Sequence, residues 1–161
     1  MRAPELTEQG VSFWFVIADA HMGSRVLDWP GMEYSASQAL RDAFGSFLAE
    51  RTLPRFLAAR DLLLGLPSHD PWSPELATFD QMLEERRWRA MRDLAERVMD
   101  NWLLTPYVHE VLALACKELG DNSRSELEAG LFQACCQGIL LTGDGTKAHP
   151  YLTVGQVPSS V

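Results

Sequence analysis

The sequence predicts an all-α fold of about three helical hairpins. Apolar residues recur at helical spacing through three paired segments, 37–64, 73–104 and 106–141. The helix-starting pairs Ser73-Pro74 and Thr105-Pro106 are separated by close to the roughly 34-residue period of tetratricopeptide repeats. A single hairpin of this type cannot bury its apolar face alone, and about three are needed for stability. The pattern therefore predicts a tetratricopeptide-like stack.

Three regions follow from this pattern. Residues 1–36 are expected to be an irregular N-terminal segment, residues 37–141 the helical-hairpin domain, and residues 142–161 a C-terminal turn with an extended tail. Within the first region, the aromatic and β-branched run 13–18 fits either a strand or a buried helical turn. Pairing of this run with the C-terminal tail is one hypothesis for its place.

The first hairpin is predicted from Ser35 or Ser37 onward, with Leu40, Phe44 and Phe47 on the apolar face of its first helix. Its second helix starts around 52–54 and ends near residue 65, where glycine and proline interrupt the pattern.

The second hairpin opens at Ser73-Pro74, a helix-capping residue followed by proline. The charged run 84–87 is expected to be the exposed turn into the fourth helix. That helix carries Trp88 and Trp102 on one apolar face, where a core role is the default for both.

The third hairpin is bounded by the clearest signals. Thr105 fits the cap and Pro106 the first helical position, and Gly120-Asp121 ends the helix. The last helix runs to Leu141 and stops at the turn 143–145, where we expect glycine to supply backbone freedom and aspartate to cap its own backbone. The β-prone residues 151–154 predict a short C-terminal strand.

Several segments resemble a bacterial tetratricopeptide-like family catalogued as domain of unknown function 4919. The resemblance rests on residues 102–109, 118–121 and 138–146, with a further likeness at 149–154. It covers about residues 37–154. It implies a tetratricopeptide-related fold and transfers no activity, because that family has none established. The chain departs from the family pattern after residue 154, where it lacks an acidic, aromatic end.

Composition restricts the partners. The net charge is −8 and the isoelectric point is near 4.9, which argues against nucleic acid or an anionic membrane and permits a basic partner. The three cysteines, Cys116, Cys135 and Cys136, lie on apolar stripes without zinc-site spacing, which fits a reducing compartment. With no signal-peptide pattern at the N-terminus, the expected location is the cytoplasm.

No cofactor and no metal site is predicted. His109-Glu110 lacks the second histidine of a zinc protease helix, since Ala113 stands in its place. We therefore interpret His109 first as a packed helix residue near Trp102 or Tyr107. The segment 143–147 lacks the Gly-Lys step of a phosphate loop and favours a turn.

The leading functional hypothesis is a small cytoplasmic protein-interaction module that binds a peptide or partner protein in a groove lined by the first helix of each hairpin. Two alternatives stay open: an acidic immunity or antitoxin-type protein that neutralises a basic effector, and an enzyme with a site in the N-terminal loops. No catalytic residue is assigned. The candidate partner-binding residues are Arg41, Arg60, Gln81, Glu85, Tyr107 and His109.

Overall fold

The computed structural model describes residues 38–70 and 74–154, and in these ranges the regular structure is helical. Six α-helices are formed there, with a single 3-10 turn at Pro74–Leu76 ahead of the third. They are α1 (Gln38–Ala49), α2 (Leu53–Leu64), α3 (Ala77–Glu84), α4 (Trp88–Trp102), α5 (Pro106–Glu118) and α6 (Asn122–Leu141). For residues 38–70 and 74–154, the all-α prediction is confirmed.

The helices pack as three consecutive hairpins. Helix α1 packs against α2, α3 against α4, and α5 against α6, while α4 also packs against α5. The first hairpin meets the third through α2 and α6. At this contact the Arg51 guanidinium donates a 2.9 Å hydrogen bond to the side-chain oxygen of Gln137. The chain therefore joins its first and last helical pairs directly.

A glycine makes the α2–α6 contact possible. Gly138 is buried on α6 and faces the ring of Phe56, which has no exposed surface. A β-carbon built at this glycine would overlap the phenyl ring. Helix α6 can thus approach α2 closely only because residue 138 has no side chain.

Two of the hairpin turns share one backbone geometry. In both, a residue with positive φ follows the end of the first helix, and its N–H and the next N–H bond to carbonyls in that helix's last turn. The α5–α6 turn uses Gly120 at φ 82°, as the sequence predicts. The α3–α4 turn uses Arg86 at φ 52°, a conformation that is unfavourable for a residue with a side chain.

The core is built from apolar side chains of all six helices; of the two predicted core tryptophans, Trp102 belongs to it and Trp88 packs on its edge. Trp102 has no exposed surface, and Trp88 is half-buried against the core. Thr105 occupies the predicted cap position before α5, but its hydroxyl makes no capping bond. Its side-chain oxygen is instead buried without a hydrogen-bond partner among the described residues.

The C-terminal segment folds back on the helices as a turn and an irregular stretch. No residue of 38–70 or 74–154 lies in a strand, so the strand expected over 151–154 is not confirmed. Asp144 caps the turn by accepting the N–H of Thr146 at 2.9 Å, and Gly145 has φ 78°. Gly143 has no positive φ, contrary to expectation. It is required because a β-carbon there would lie 2.5 Å from the carbonyl oxygen of Pro150.

Some predictions fall on residues outside the described ranges. These are the irregular segment 1–36 with its aromatic run 13–18, the start of the second hairpin at Ser73, and the end of the tail from residue 155. Within the ranges that are described, no helix is long and apolar enough to cross a bilayer.

Candidate functional site

Tyr107 joins α5 to α3 at the surface of the second and third hairpins. It lies in the first turn of α5, half-buried, with its ring packed edge-on against Phe79 of α3 at 6.1 Å between centroids and 78° between planes. Its hydroxyl donates a 2.8 Å hydrogen bond to a carboxylate oxygen of Asp80. The α3–α5 junction thus holds an aromatic ring with its polar end at the surface.

The charges around this tyrosine are negative. Burial, the hydrogen bond to Asp80 and the nearby carboxylates of Asp80 and Glu110 all raise the pKa of Tyr107 above its ordinary value. The phenol therefore stays protonated and acts as a donor. Glu110 is exposed and stands one turn along α5 from Tyr107, on the same side of the helix. We call Asp80, Tyr107 and Glu110 the acidic α3–α5 surface.

The other predicted residues on first helices are exposed but lie apart from this hydroxyl. Gln81 and Glu85, on and just after α3, bond to each other at 2.8 Å. Arg41 lies on α1 and donates to the side-chain oxygen of Gln38 at 3.2 Å. The structure thus brings Tyr107 to α3 and places Arg41 on α1, in the first hairpin.

Arg60 does not lie on a first helix. It belongs to α2, the second helix of its hairpin, and its guanidinium donates to the carbonyl oxygen of Thr153 at 3.2 Å. This side chain holds the C-terminal segment against the first hairpin, a structural role that accounts for its position.

His109 is buried in a charged network between α5 and α6. Its Nδ1 lies 2.6 Å from Glu128 Oε2, and its Nε2 lies 2.8 Å from the carbonyl oxygen of Leu103. Arg124 donates from Nε to the other carboxylate oxygen of Glu128 at 2.7 Å. Neither His109 nor Glu128 has exposed surface. A partner cannot touch His109 in this conformation, so it does not belong to a contact surface.

The network favours a charged histidine. Burial alone lowers the pKa of His109, but hydrogen bonding to Cys135 and Glu128 outweighs it, and the pKa is raised to about 10. Both ring nitrogens face acceptors, and only the imidazolium form can donate from both. The His109 side chain is thus a buried cation, and the Glu128 carboxylate that holds it also binds Arg124.

Sequence reasoning missed Asp80, Glu110 and Glu128. Glu128 had a signal, because it lies three residues before Leu131 and seven before Cys135, on the buried stripe of α6. A carboxylate on such a stripe requires a buried partner. Asp80 and Glu110 carry no such sequence signal, because exposed acidic residues on helices are common.

In the part of the chain that the structure describes, no group of three or more His, Cys, Asp or Glu side chains is placed to hold a metal ion. The enzyme alternative concerns the N-terminal loops, which lie outside the described ranges.

Comparison with known proteins gives no match, whether with protein-family models, curated proteins or solved structures. The resemblance to the tetratricopeptide-like family stays a prediction based on its motif residues.

Proposed function

We propose that this chain is a protein-interaction module in which tetratricopeptide-like hairpins present a docking surface for a basic segment of a partner protein. The surface is the acidic α3–α5 surface. The observation that carries the proposal is the half-buried ring of Tyr107, held between α3 and α5 with carboxylates beside its hydroxyl.

The chemistry of this surface suits a segment that combines a cation with an apolar group. Tyrosine offers both a flat apolar face and a hydroxyl, and it is enriched where proteins bind each other. The carboxylates of Asp80 and Glu110 favour lysine or arginine on the partner, and the net charge of −8 attracts such a partner over longer range.

A binding assay with matched charge changes tests the proposal. The probe is a labelled peptide of alternating lysine and leucine, followed by fluorescence anisotropy. We expect the double variant Asp80→Asn/Glu110→Gln to weaken binding about tenfold through the loss of two charge contacts. The control Glu96→Gln/Glu126→Gln removes two exposed carboxylates on α4 and α6 and makes the same change in net charge.

The control decides the outcome. If both double variants weaken binding equally, the attraction is a property of the whole acidic protein and the α3–α5 surface is not a site. The neutraliser hypothesis uses the same charge complementarity and differs in its partner, a toxic basic protein. Rescue of cells from such a protein, lost in the Asp80/Glu110 variant alone, would favour it.

A further inference from the structure

The turn between α3 and α4 carries three arginines directly after Glu84 and Glu85. Arg86, Arg87 and Arg89, which we call the arginine turn, fall within residues 86–89 of a chain whose net charge is −8. Arg87 is paired with Glu85 at 3.4 Å. The side chains of Arg86 and Arg89 are exposed, and their guanidinium groups make no hydrogen bond or ion pair with any described residue. Two guanidinium groups are therefore available to a ligand.

A shallow depression lies at this turn. Its volume is about 420 Å³, and it is lined by Arg86, Arg87, Trp88, Arg89, Ala90 and Leu119. Trp88 is half-buried because its ring also packs on the core. The depression thus combines apolar groups from α4 and the end of α5 with cationic groups.

The positive φ at residue 86 favours glycine, yet the residue there is arginine. The α5–α6 turn has the same hydrogen-bond pattern and uses Gly120 at the equivalent position. Glycine adopts this conformation without steric cost, whereas arginine does so unfavourably. Turn geometry therefore does not explain an arginine at residue 86, and its exposed side chain needs another reason.

We propose that the arginine turn is an interaction site for an acidic segment of a partner protein. Carboxylates of the segment pair with Arg86 and Arg89, whose planar guanidinium groups match a carboxylate through two parallel hydrogen bonds. An apolar side chain of the segment lies against Trp88 and Leu119. This site is separate from the acidic α3–α5 surface and selects a ligand of opposite charge.

A short acidic segment fits better than a large polyanion. Nucleic acid or an anionic membrane meets the field of the whole chain, which is repulsive at net charge −8. A short segment at the turn is governed by charges within about 8–10 Å, because salt screens those further away. A free inorganic anion would use the arginines but would not need the apolar groups.

The test uses the full chain and a labelled peptide of alternating glutamate and leucine, measured by fluorescence anisotropy. We expect Arg89→Gln and Arg86→Gly each to weaken binding about two- to fivefold, and the double variant about tenfold. Arg97→Gln, an exposed arginine further along α4, is the matched control and should change binding less than twofold. Arg86→Gly should also raise the melting temperature, which excludes misfolding as the cause of weaker binding.

Two further measurements separate this site from its alternatives. Peptide binding should change the tryptophan fluorescence of the wild type and not of Trp88→Phe. The lysine–leucine peptide should bind the arginine variants at least as well as the wild type. The two proposals are thus tested separately, and failure of the arginine-turn proposal leaves the α3–α5 proposal standing. The proposal is overturned if Arg97→Gln weakens binding as much as Arg89→Gln, or if a glutamine–leucine peptide binds equally well. Displacement by inorganic phosphate, with no dependence on the peptide's leucines, would assign the depression to a free anion and also overturn it.

Discussion

The buried histidine makes a quantitative prediction about stability and pH. The folded protein holds the proton of His109 up to a pKa of about 10, whereas an ordinary histidine releases it near 6.5. The stabilisation is therefore complete below pH 6.5 and is lost as the pH rises towards 10. Between pH 6.5 and 8.5 the free energy of unfolding should fall by about 2 kcal/mol.

Urea unfolding across this pH window measures the effect, with one variant as the test and another as the control. Hydrogen bonding to Cys135 and Glu128 holds the proton, so Glu128→Gln should make the decline shallower, and stability at pH 6.5 should drop by about 3–5 kcal/mol. His149→Asn, at an exposed histidine, should leave the decline intact. Burial raises the pKa of the Cys116 thiol from 9.0 to about 11, so this cysteine also lowers the stability of the folded protein as the pH rises above 9. The measurement therefore stops at pH 8.5, where only the histidine contributes.

Direct observation of the proton completes this test. In the wild type, the ring nitrogens of His109 should both remain protonated at pH 8 in a nitrogen-detected nuclear magnetic resonance titration. A flat or rising free energy of unfolding between pH 6.5 and 8.5 would refute the argument. So would an imidazole that is neutral at pH 8.

Three further predictions concern glycines, and urea unfolding checks each. Gly138→Ala should lower stability by about 1–3 kcal/mol, because its methyl group overlaps the Phe56 ring, and Phe56→Leu should recover part of that loss. Gly143→Ala should also lower stability by about 1–3 kcal/mol, because the added methyl group meets the backbone of Pro150. A stability within about 0.3 kcal/mol of the wild type would contradict this turn geometry. Gly45→Ala should raise stability by about 0.5–1 kcal/mol, because this mid-helix position faces open space, and a loss would mean that α1 is packed there.

Local signals determined what could be predicted of the fold. Proline at residue 106 and glycine at residue 120 mark the ends of α5 through the chemistry of single residues, and the structure places the helix between them. The contact between α2 and α6 had no such signal. It depends on the fit of Gly138 to Phe56, two residues far apart in the chain, and glycine within a helix does not indicate which partner approaches it.

The candidate site was predicted only in part, for a related reason. Tyr107 was identified because an amphipathic side chain at the start of a first helix suggests a contact surface, and the structure places it beside α3. His109 was included on the same grounds, but its partner Glu128 lies on the next helix, and only tertiary packing brings the two together. Arg86 gave no backbone signal, since positive φ is normally indicated by glycine or asparagine.

The contact between α2 and α6 also has a consequence for biosynthesis. Arg51 and Gln137 are separated by 86 residues, so at roughly 5–20 residues per second the ribosome needs on the order of 4–17 s to supply the second after the first. During that interval the first hairpin exists without the surface it docks on. The part of α2 that meets α6, which includes the ring of Phe56, therefore waits uncovered during this time, although α1 already packs on α2.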